Sequence, residues 1–217
     1  MKIETIKKLT IENYIIGQEK YFKAAVAIPL FNKDGEIHIL FEKRAAEIRQ
    51  GGEVSLPGGE CEIFENNTSH TAIRETSEEL GIEREKINYL GKYGFLITPF
   101  GALIDVHLIE LLISDIKELN FDKTEVESVF SLPLKYFLDN EPEIFFAKAQ
   151  MLPNYIDKDG NTVDLFPAKE FNLPEKYHKP WGTHKHRIFV YITQPEIVWG
   201  ITAEIIYDFS KKVKEII

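Results

Sequence analysis

Apolar stretches alternate with turn signals along the chain, and the pattern predicts strands before helices. Residues 21–31 (YFKAAVAIPLF) are apolar and strand-like. Asn32-Lys33-Asp34-Gly35 is a turn signal, and residues 36–42 (EIHILFE) return as a second strand, so the two form a hairpin. Residues 87–98 (INYLGKYGFLIT) read as strand material broken by Gly91 and Gly94. Pro99-Phe100-Gly101 is a turn, and residues 102–113 (ALIDVHLIELLI) form a long buried strand that carries Asp105 and His107. Residues 188–193 (IFVYIT) are a further strand.

Helical spacing is clearest around residues 72–80. Ala72, Ile73, Thr76 and Leu80 cover one arc that would pack on a core, and Gly81 is placed as the stop. A short helix is expected over residues 2–14. A final helix is expected to start at a Thr202 cap and run to about Val213. Glu125 and Glu127 are expected to open an acidic short helix or loop after the buried strand. Residues 141–187 are punctuated by Pro142, Pro153, Pro167, Pro174 and Pro180, with a hairpin turn at Lys158-Asp159-Gly160-Asn161.

Composition narrows the classes. A chain of 217 residues, 44% apolar and 28% charged, suits one soluble globular domain with an insertion. A net charge of −9 argues against nucleic acid read through a basic surface, so an anionic ligand must be held by local cations and metal. The single cysteine, Cys61, excludes an internal disulfide and fits a reducing compartment. The first residues lack an apolar signal core and no run approaches a membrane span, so the expectation is a cytoplasmic protein with no membrane partner.

The candidate chemistry sits on the helix. Glu75, Glu78 and Glu79 stand at i, i+3 and i+4, one turn apart, where like charges destabilise a helix by a few tenths of a kcal/mol unless a cation lies between them. Hard oxygen ligands suit Mg²⁺ or Mn²⁺, and Mg²⁺ is usually shared with substrate phosphates. A solvated acidic face would carry the same charges. Against it stand the Gly58-Gly59 turn, Glu65 and the Arg74-Glu75 pair in fixed order. Arg74 is the cation in this arc and would hold the carboxylates in place. Arg44 and Arg49 are the nearest cations in sequence, and guanidinium grips phosphate with two teeth, although plain surface charge is the alternative.

Other residues read more plainly. Cys61 beside the acidic loop is a bystander before it is a ligand. A lone His107 on an apolar strand is more often a satisfied core residue than a catalyst. The run from His178 to Arg187 (HKPWGTHKHR) is locally basic and aromatic. It could stack on adenine and contact a 3′-phosphate, form a histidine metal site, serve as a dimer arm, or lie as a solvated loop.

The stretch from Gly59 to Ile82 resembles the Nudix box, G-x5-E-x7-R-E-U-x-E-E-x-G-U with U apolar. Gly59, Glu65, Arg74-Glu75, Glu78-Glu79, Gly81 and Ile82 match it, with eight residues between Glu65 and Arg74 instead of seven. That longer loop resembles the coenzyme A pyrophosphatase branch. So do Arg44, Ile48-Arg49 and the run GEVSLPGG ahead of the box, although Ala45 and Leu56 replace the branch's serine and phenylalanine. The interval from Arg49 to Gly52 is also one residue short of the branch's pattern. GFLITPFGALIDVHL, the Glu125-Val126 to Leu134 run and the Trp199-Gly200-Ile201-Thr202-Ala203 close are also similar to it.

The resemblance implies an α/β fold, a Nudix-like α/β/α sandwich with a mixed sheet. It implies one hydrolase domain over residues 21–217 with an insertion at 141–187, after an extension at 1–20. It implies Glu75, Glu78, Glu79 and the Gly59 carbonyl as metal ligands for Mg²⁺ or Mn²⁺. Glu78 or Glu125 would be the base, with Glu127 competing with Glu125, and Arg74 would orient the glutamates. Arg44, Arg49, Gly58, Pro99 and Phe100 would contact a small-molecule nucleotide substrate. The implied reaction is hydrolysis of the pyrophosphate bond of coenzyme A, giving 3′,5′-ADP and 4′-phosphopantetheine. ADP-ribose or dinucleoside polyphosphates are the alternative substrates, and a non-catalytic nucleotide-binding domain is the alternative class.

Overall fold

The Asp34-Gly35 turn sets the first hairpin. Asp34 (φ 53°) and Gly35 (φ 88°) both adopt left-handed backbone, as a tight two-residue hairpin requires, and the Gly35 N–H donates to Asn32 Oδ1 at 2.9 Å. The turn joins β1 (Phe22–Lys33) to β2 (Glu36–Arg44), paired antiparallel with Lys33 opposite Glu36. This computed structural model describes residues 15–62, 67–182 and 184–217. The helix expected over 2–14 and Glu65 lie outside the described residues.

Among the described residues seven strands form one sheet around β1. On one side β1 runs parallel to β6 (Ala102–Leu111), which is antiparallel to β5 (Ile87–Ile97). On the other side β2 pairs with β3 (Val54–Ser55) and β7 (Val126–Pro133), while β4 (Gly58–Glu60) pairs with β1. Gly91 and Gly94 do not break β5. They mark two register shifts against β6, the bulges that glycine accommodates inside a strand.

Helix α1 (Ser69–Leu80) lays Ala72, Ile73 and Leu80 into a core cluster with Ala25, Ala27, Leu40 and Ile109. Burying each such leucine or isoleucine is worth about 1.5–3 kcal/mol. Cys61 belongs to the same cluster, as a small core residue. The helix ends at Gly81 (φ 58°), and the Ile82 N–H donates back to the Ser77 carbonyl at 3.1 Å. A Cβ on Gly81 would lie 1.8 Å from the Asn120 carbonyl oxygen, so no side chain fits there.

Residues 1–136 and 137–217 divide into two compact units. In the second, β8 (Glu143–Lys148), β11 (Lys185–Tyr191) and β12 (Val198–Trp199) form a sheet. Phe189 and Tyr191 of that sheet are buried, as are Ala203, Ile206 and Phe209 of α3 (Gly200–Lys214). The expected turn at residues 158–161 joins β9 (Asn154–Ile156) to β10 (Thr162–Asp164), with the Asp157 carboxylate accepting from the Asp159 and Asn161 N–H groups.

Two expectations are corrected. The last helix starts at Gly200, so Thr202 is a buried residue inside it and not its cap. Residues 126–133 are strand β7, which places Glu127 in the sheet, and the short helix α2 (Leu134–Asp139) follows it. The fold class holds: mixed α/β, with a large mixed sheet and few helices.

Candidate active site

Along the face of helix α1 that carries its three carboxylates, burial grades from solvent to core. The Glu78 side chain is 60% exposed, Glu75 is intermediate, and Glu79 is 4% exposed. Arg74 crosses the outer part of this arc. Its guanidinium donates to Glu75 Oε1 at 2.7 Å and to Glu78 Oε2 at 2.9 Å. Arg74 thereby ties two glutamates side by side.

Two glycines bring backbone against Glu79 and Glu75. The Gly58 N–H donates to Glu79 Oε2 at 2.9 Å. A Cβ on Gly58 would sit 2.3 Å from the Ala25 carbonyl oxygen, so β4 can approach β1 only without one. A Cβ on Gly59 would sit 2.4 Å from Glu75 Oε1, which puts the Gly59 backbone beside that carboxylate.

A fourth carboxylate comes from the sheet. Glu42, on β2, is 1% exposed. Its Oε1 accepts from the Ser55 hydroxyl at 2.8 Å, and Arg44 Nη1 lies 4.0 Å from the same oxygen. Its Oε2 is buried with no hydrogen-bond partner among the described residues. Burial raises the pKa of Glu79 above the ordinary carboxylate value, and the charges of Glu42 and Glu75 add to this. Burial likewise raises that of Glu42, with Glu125 and Glu75 adding to it. The Gly58 N–H and Arg44 offset part of this at Glu79, as Ser55 and Arg44 do at Glu42.

Among the described residues, no three His, Cys, Asp or Glu side chains already converge as a metal cluster. The donor chemistry fits a hard divalent cation all the same. The donors are carboxylates and a glycine backbone, two carboxylates are buried beside each other, and one buried oxygen lacks a partner.

The remaining expected contacts fall around the start of β1. Arg44 Nε donates to the Arg49 carbonyl at 3.2 Å, and the Arg49 guanidinium lies 5.8 Å from the Phe22 ring centroid. The Phe22 N–H donates to the Gly101 carbonyl at 2.8 Å, so the exposed Pro99-Phe100 corner meets the same end of the strand. Glu125 stands just before β7, its carbonyl accepting from the Ala45 N–H at 2.8 Å. Its charge is felt at Glu42, whereas Glu127 pairs with Lys43 at 3.2 Å.

The NUDIX domain family matches residues 21–155, more than half of the chain. The chain belongs to the Nudix family. An uncharacterized Nudix hydrolase of Photorhabdus laumondii is 26% identical over 199 residues, 88% of this chain and 84% of that protein. The mitochondrial coenzyme A diphosphatase of Homo sapiens is 33% identical over 191 residues, 86% of this chain and 67% of that protein. The crystal structure of a MutT/Nudix family protein from Enterococcus faecalis matches with a TM-score of 0.46 and 17% identity, over 98% of this chain and 68% of that one. The Nudix domain and these hydrolase relatives make the protein a pyrophosphohydrolase.

In this Nudix hydrolase His107 is a satisfied core residue. The Thr68 hydroxyl donates to Asp105 Oδ2 at 2.6 Å and lies 3.0 Å from His107 Nε2, while the Tyr89 hydroxyl lies 3.2 Å from His107 Nδ1. Lys92 pairs with Asp105 Oδ1 at 2.7 Å. Thr68 occupies the N-cap position of α1, yet its side chain reaches strand β6 instead of the helix end. The aromatic run near His178 packs within its own unit, Trp181 edge-on to Tyr177 at 5.5 Å and His178 Nε2 3.1 Å from the Leu173 carbonyl. The sequence reading missed Glu42 and Thr68. For Glu42 the available signal was an acidic residue directly after the apolar run Ile39-Leu40-Phe41.

Proposed function

We propose that the protein hydrolyses the pyrophosphate bond of coenzyme A or its acyl derivatives, with Mg²⁺ or Mn²⁺, to 3′,5′-ADP and 4′-phosphopantetheine or its acyl form. The observation that carries the hydrolytic part is Glu79, a buried carboxylate held against the Gly58 backbone and crowded by Glu42 and Glu75. The coenzyme A part rests on the loop and flanking motifs and on similarity to a relative named as a coenzyme A diphosphatase.

Glu75, Glu79 and the Gly59 carbonyl would hold the cation, with Glu78 as a further ligand or the base. When bound, a divalent ion neutralises pyrophosphate oxygens and acidifies a water. The chain's own groups do the rest. Arg74 holds Glu75 and Glu78 in place. Arg44 and Arg49 grip phosphate oxygens as the substrate settles, and the Pro99-Phe100 corner borders the bound nucleotide. Glu125 is the candidate that takes the proton from the attacking water, leaving the phosphate of one product to depart. The reading keeps a small-molecule partner and a cytoplasmic location. Among the described residues no helix is long and apolar enough to cross a membrane.

The test is incubation with Mg²⁺, and in parallel Mn²⁺, of coenzyme A, dephospho-coenzyme A and ADP-ribose, with products separated by chromatography. Release of 3′,5′-ADP, with the dephospho compound much poorer, is the expected result. Cleavage of ADP-ribose alone would keep the catalytic helix and overturn the substrate.

A further inference from the structure

We infer that Glu42 is an additional oxygen ligand of the divalent-metal site, contributed from strand β2 to the carboxylates of helix α1. The inference rests on the reading that the helix carboxylates hold a metal, and it adds a residue outside the glutamate-rich motif.

The argument starts from one oxygen. Glu42 is 1% exposed, on a strand whose preceding residues Ile39, Leu40 and Phe41 are fully buried. One carboxylate oxygen is fixed: the Ser55 hydroxyl donates to Oε1 at 2.8 Å, and Ser55 lies directly opposite Glu42 across the β2–β3 pair. The other, Oε2, has no partner among the described residues. As a carboxylate it lacks a donor. As a neutral acid its proton would lack an acceptor. Either form leaves a buried polar atom unmet, which native interiors rarely tolerate without a functional reason.

Arg44 does not resolve this. Its nearest approach is 4.0 Å and to the already satisfied Oε1, and its Nε is used on the Arg49 carbonyl. The other charges felt at Glu42 are those of Glu125 and Glu75, and Glu79 feels Glu42 in turn. Ser55, which holds Glu42, stands three residues before Gly58, whose N–H holds Glu79, so the two buried carboxylates border the same turn with one oxygen still unmet. The strand is also shaped here: the β2–β7 register shifts between Lys43 and Arg44, immediately after Glu42. Bulges of this kind re-aim side chains beside active sites.

Manganese titration of the full chain tests this, with free Mn²⁺ read by electron paramagnetic resonance and the fold checked by circular dichroism. Wild type, Glu42→Gln and Glu79→Gln are compared without substrate. Glu42→Gln is expected to weaken Mn²⁺ binding by at least about tenfold, since even outer partners of metal ligands cost that much. The water-proton relaxation per bound Mn²⁺ should rise as a water replaces the lost oxygen. A folded Glu42→Gln that binds Mn²⁺ as tightly as wild type overturns the inference. If Glu42→Gln does not fold, Glu42→Asp takes its place, where the shorter reach should also weaken binding and an unchanged affinity overturns the inference. Failure of wild type to bind Mn²⁺ at all would instead overturn the underlying metal reading. Weakening in Glu79→Gln with none in Glu42→Gln would spare that reading and remove Glu42 alone.

Discussion

The backbone N–H of Gly58 donates to Glu79 Oε2 at 2.9 Å, joining the glycine turn to the buried carboxylate of the helix. A glutamine at 79 can still accept that hydrogen bond through its amide oxygen, but it loses the charge. Glu79→Gln is expected to lower kcat by about 10²–10³-fold or more, the scale of losing one preorganised charge-stabilising group. The metal-free protein should unfold no earlier than wild type, since repulsion with Glu42 is relieved. Steady-state kinetics and thermal denaturation check the two halves separately.

The raised pKa values of Glu42 and Glu79 give a pH dependence with a definite sign. Carboxyls whose folded pKa lies above the unfolded value bind protons more tightly when folded. Their contribution is fully present below the unfolded value of about 4.5 and is lost as pH rises through the folded values, at and above neutrality. The Tm of the metal-free protein should therefore fall from weakly acid to weakly alkaline pH. Added Mg²⁺ should restore it most at the alkaline end. A Tm that climbs over this range without metal would contradict the upward shift of both groups.

Two glycines should fail in different ways. Gly81→Ala puts a Cβ at 1.8 Å from the Asn120 carbonyl on a left-handed backbone, where nothing flexible can yield. It should cost about 2–4 kcal/mol in denaturant unfolding. A Cβ at Gly59 meets the end of the Glu75 side chain, which can swing away. Gly59→Ala should cost under about 1 kcal/mol of stability while most activity is lost.

Glu125 and Glu127 are separated by their partners. Glu127 is engaged by Lys43 in a half-exposed ion pair, worth roughly 0–1 kcal/mol, and Glu127→Gln should leave kcat near wild type. Glu125→Gln should lower kcat by about 10²–10⁴-fold if it is the general base. Equal effects on kcat would remove Glu125 from that role.

Much of the fold was legible because local chemistry and the global pattern agree. The Asp34-Gly35 turn fixes a register, and the apolar runs of β1 and β6 read as strands, although their parallel pairing is set by partners far apart in sequence. The helix stop at Gly81 was legible too, although the sequence does not show why Asn120 forbids a side chain there. Other features depend on partners distant in sequence. Gly91 and Gly94 read as breaks, yet the β6 ladder carries the strand through them as bulges. Glu127 reads as helical or loop, but pairing with β2 places it in a strand. Thr202 has the chemistry of a cap, but the helix begins two residues earlier and buries it. Within the site, the Arg74-Glu75-Glu78 arc follows from helical spacing, whereas the depth of Glu79 follows from the packing of β4 on β1. Glu42 was missed because a charge at the end of a short apolar run looks like a solvent-facing terminus. Only the continuation of β2 to Arg44 and the cover of Ser55 put it inside.

Helix α1 is clamped at both ends. At its start Thr68 is bonded to Asp105 and touches His107 on β6, and at its finish Gly81 fits against Asn120 with no slack. A beam fixed at two supports neither slides nor rolls, so the stations of Glu75 and Glu79 are set when the chain folds. Little ordering is left for the moment an ion arrives, and amide exchange along the helix should barely differ between ion-loaded and ion-free protein. The work of catalysis would then fall on side-chain rotations measured in fractions of a turn, and the backbone would act as the fixed frame around them.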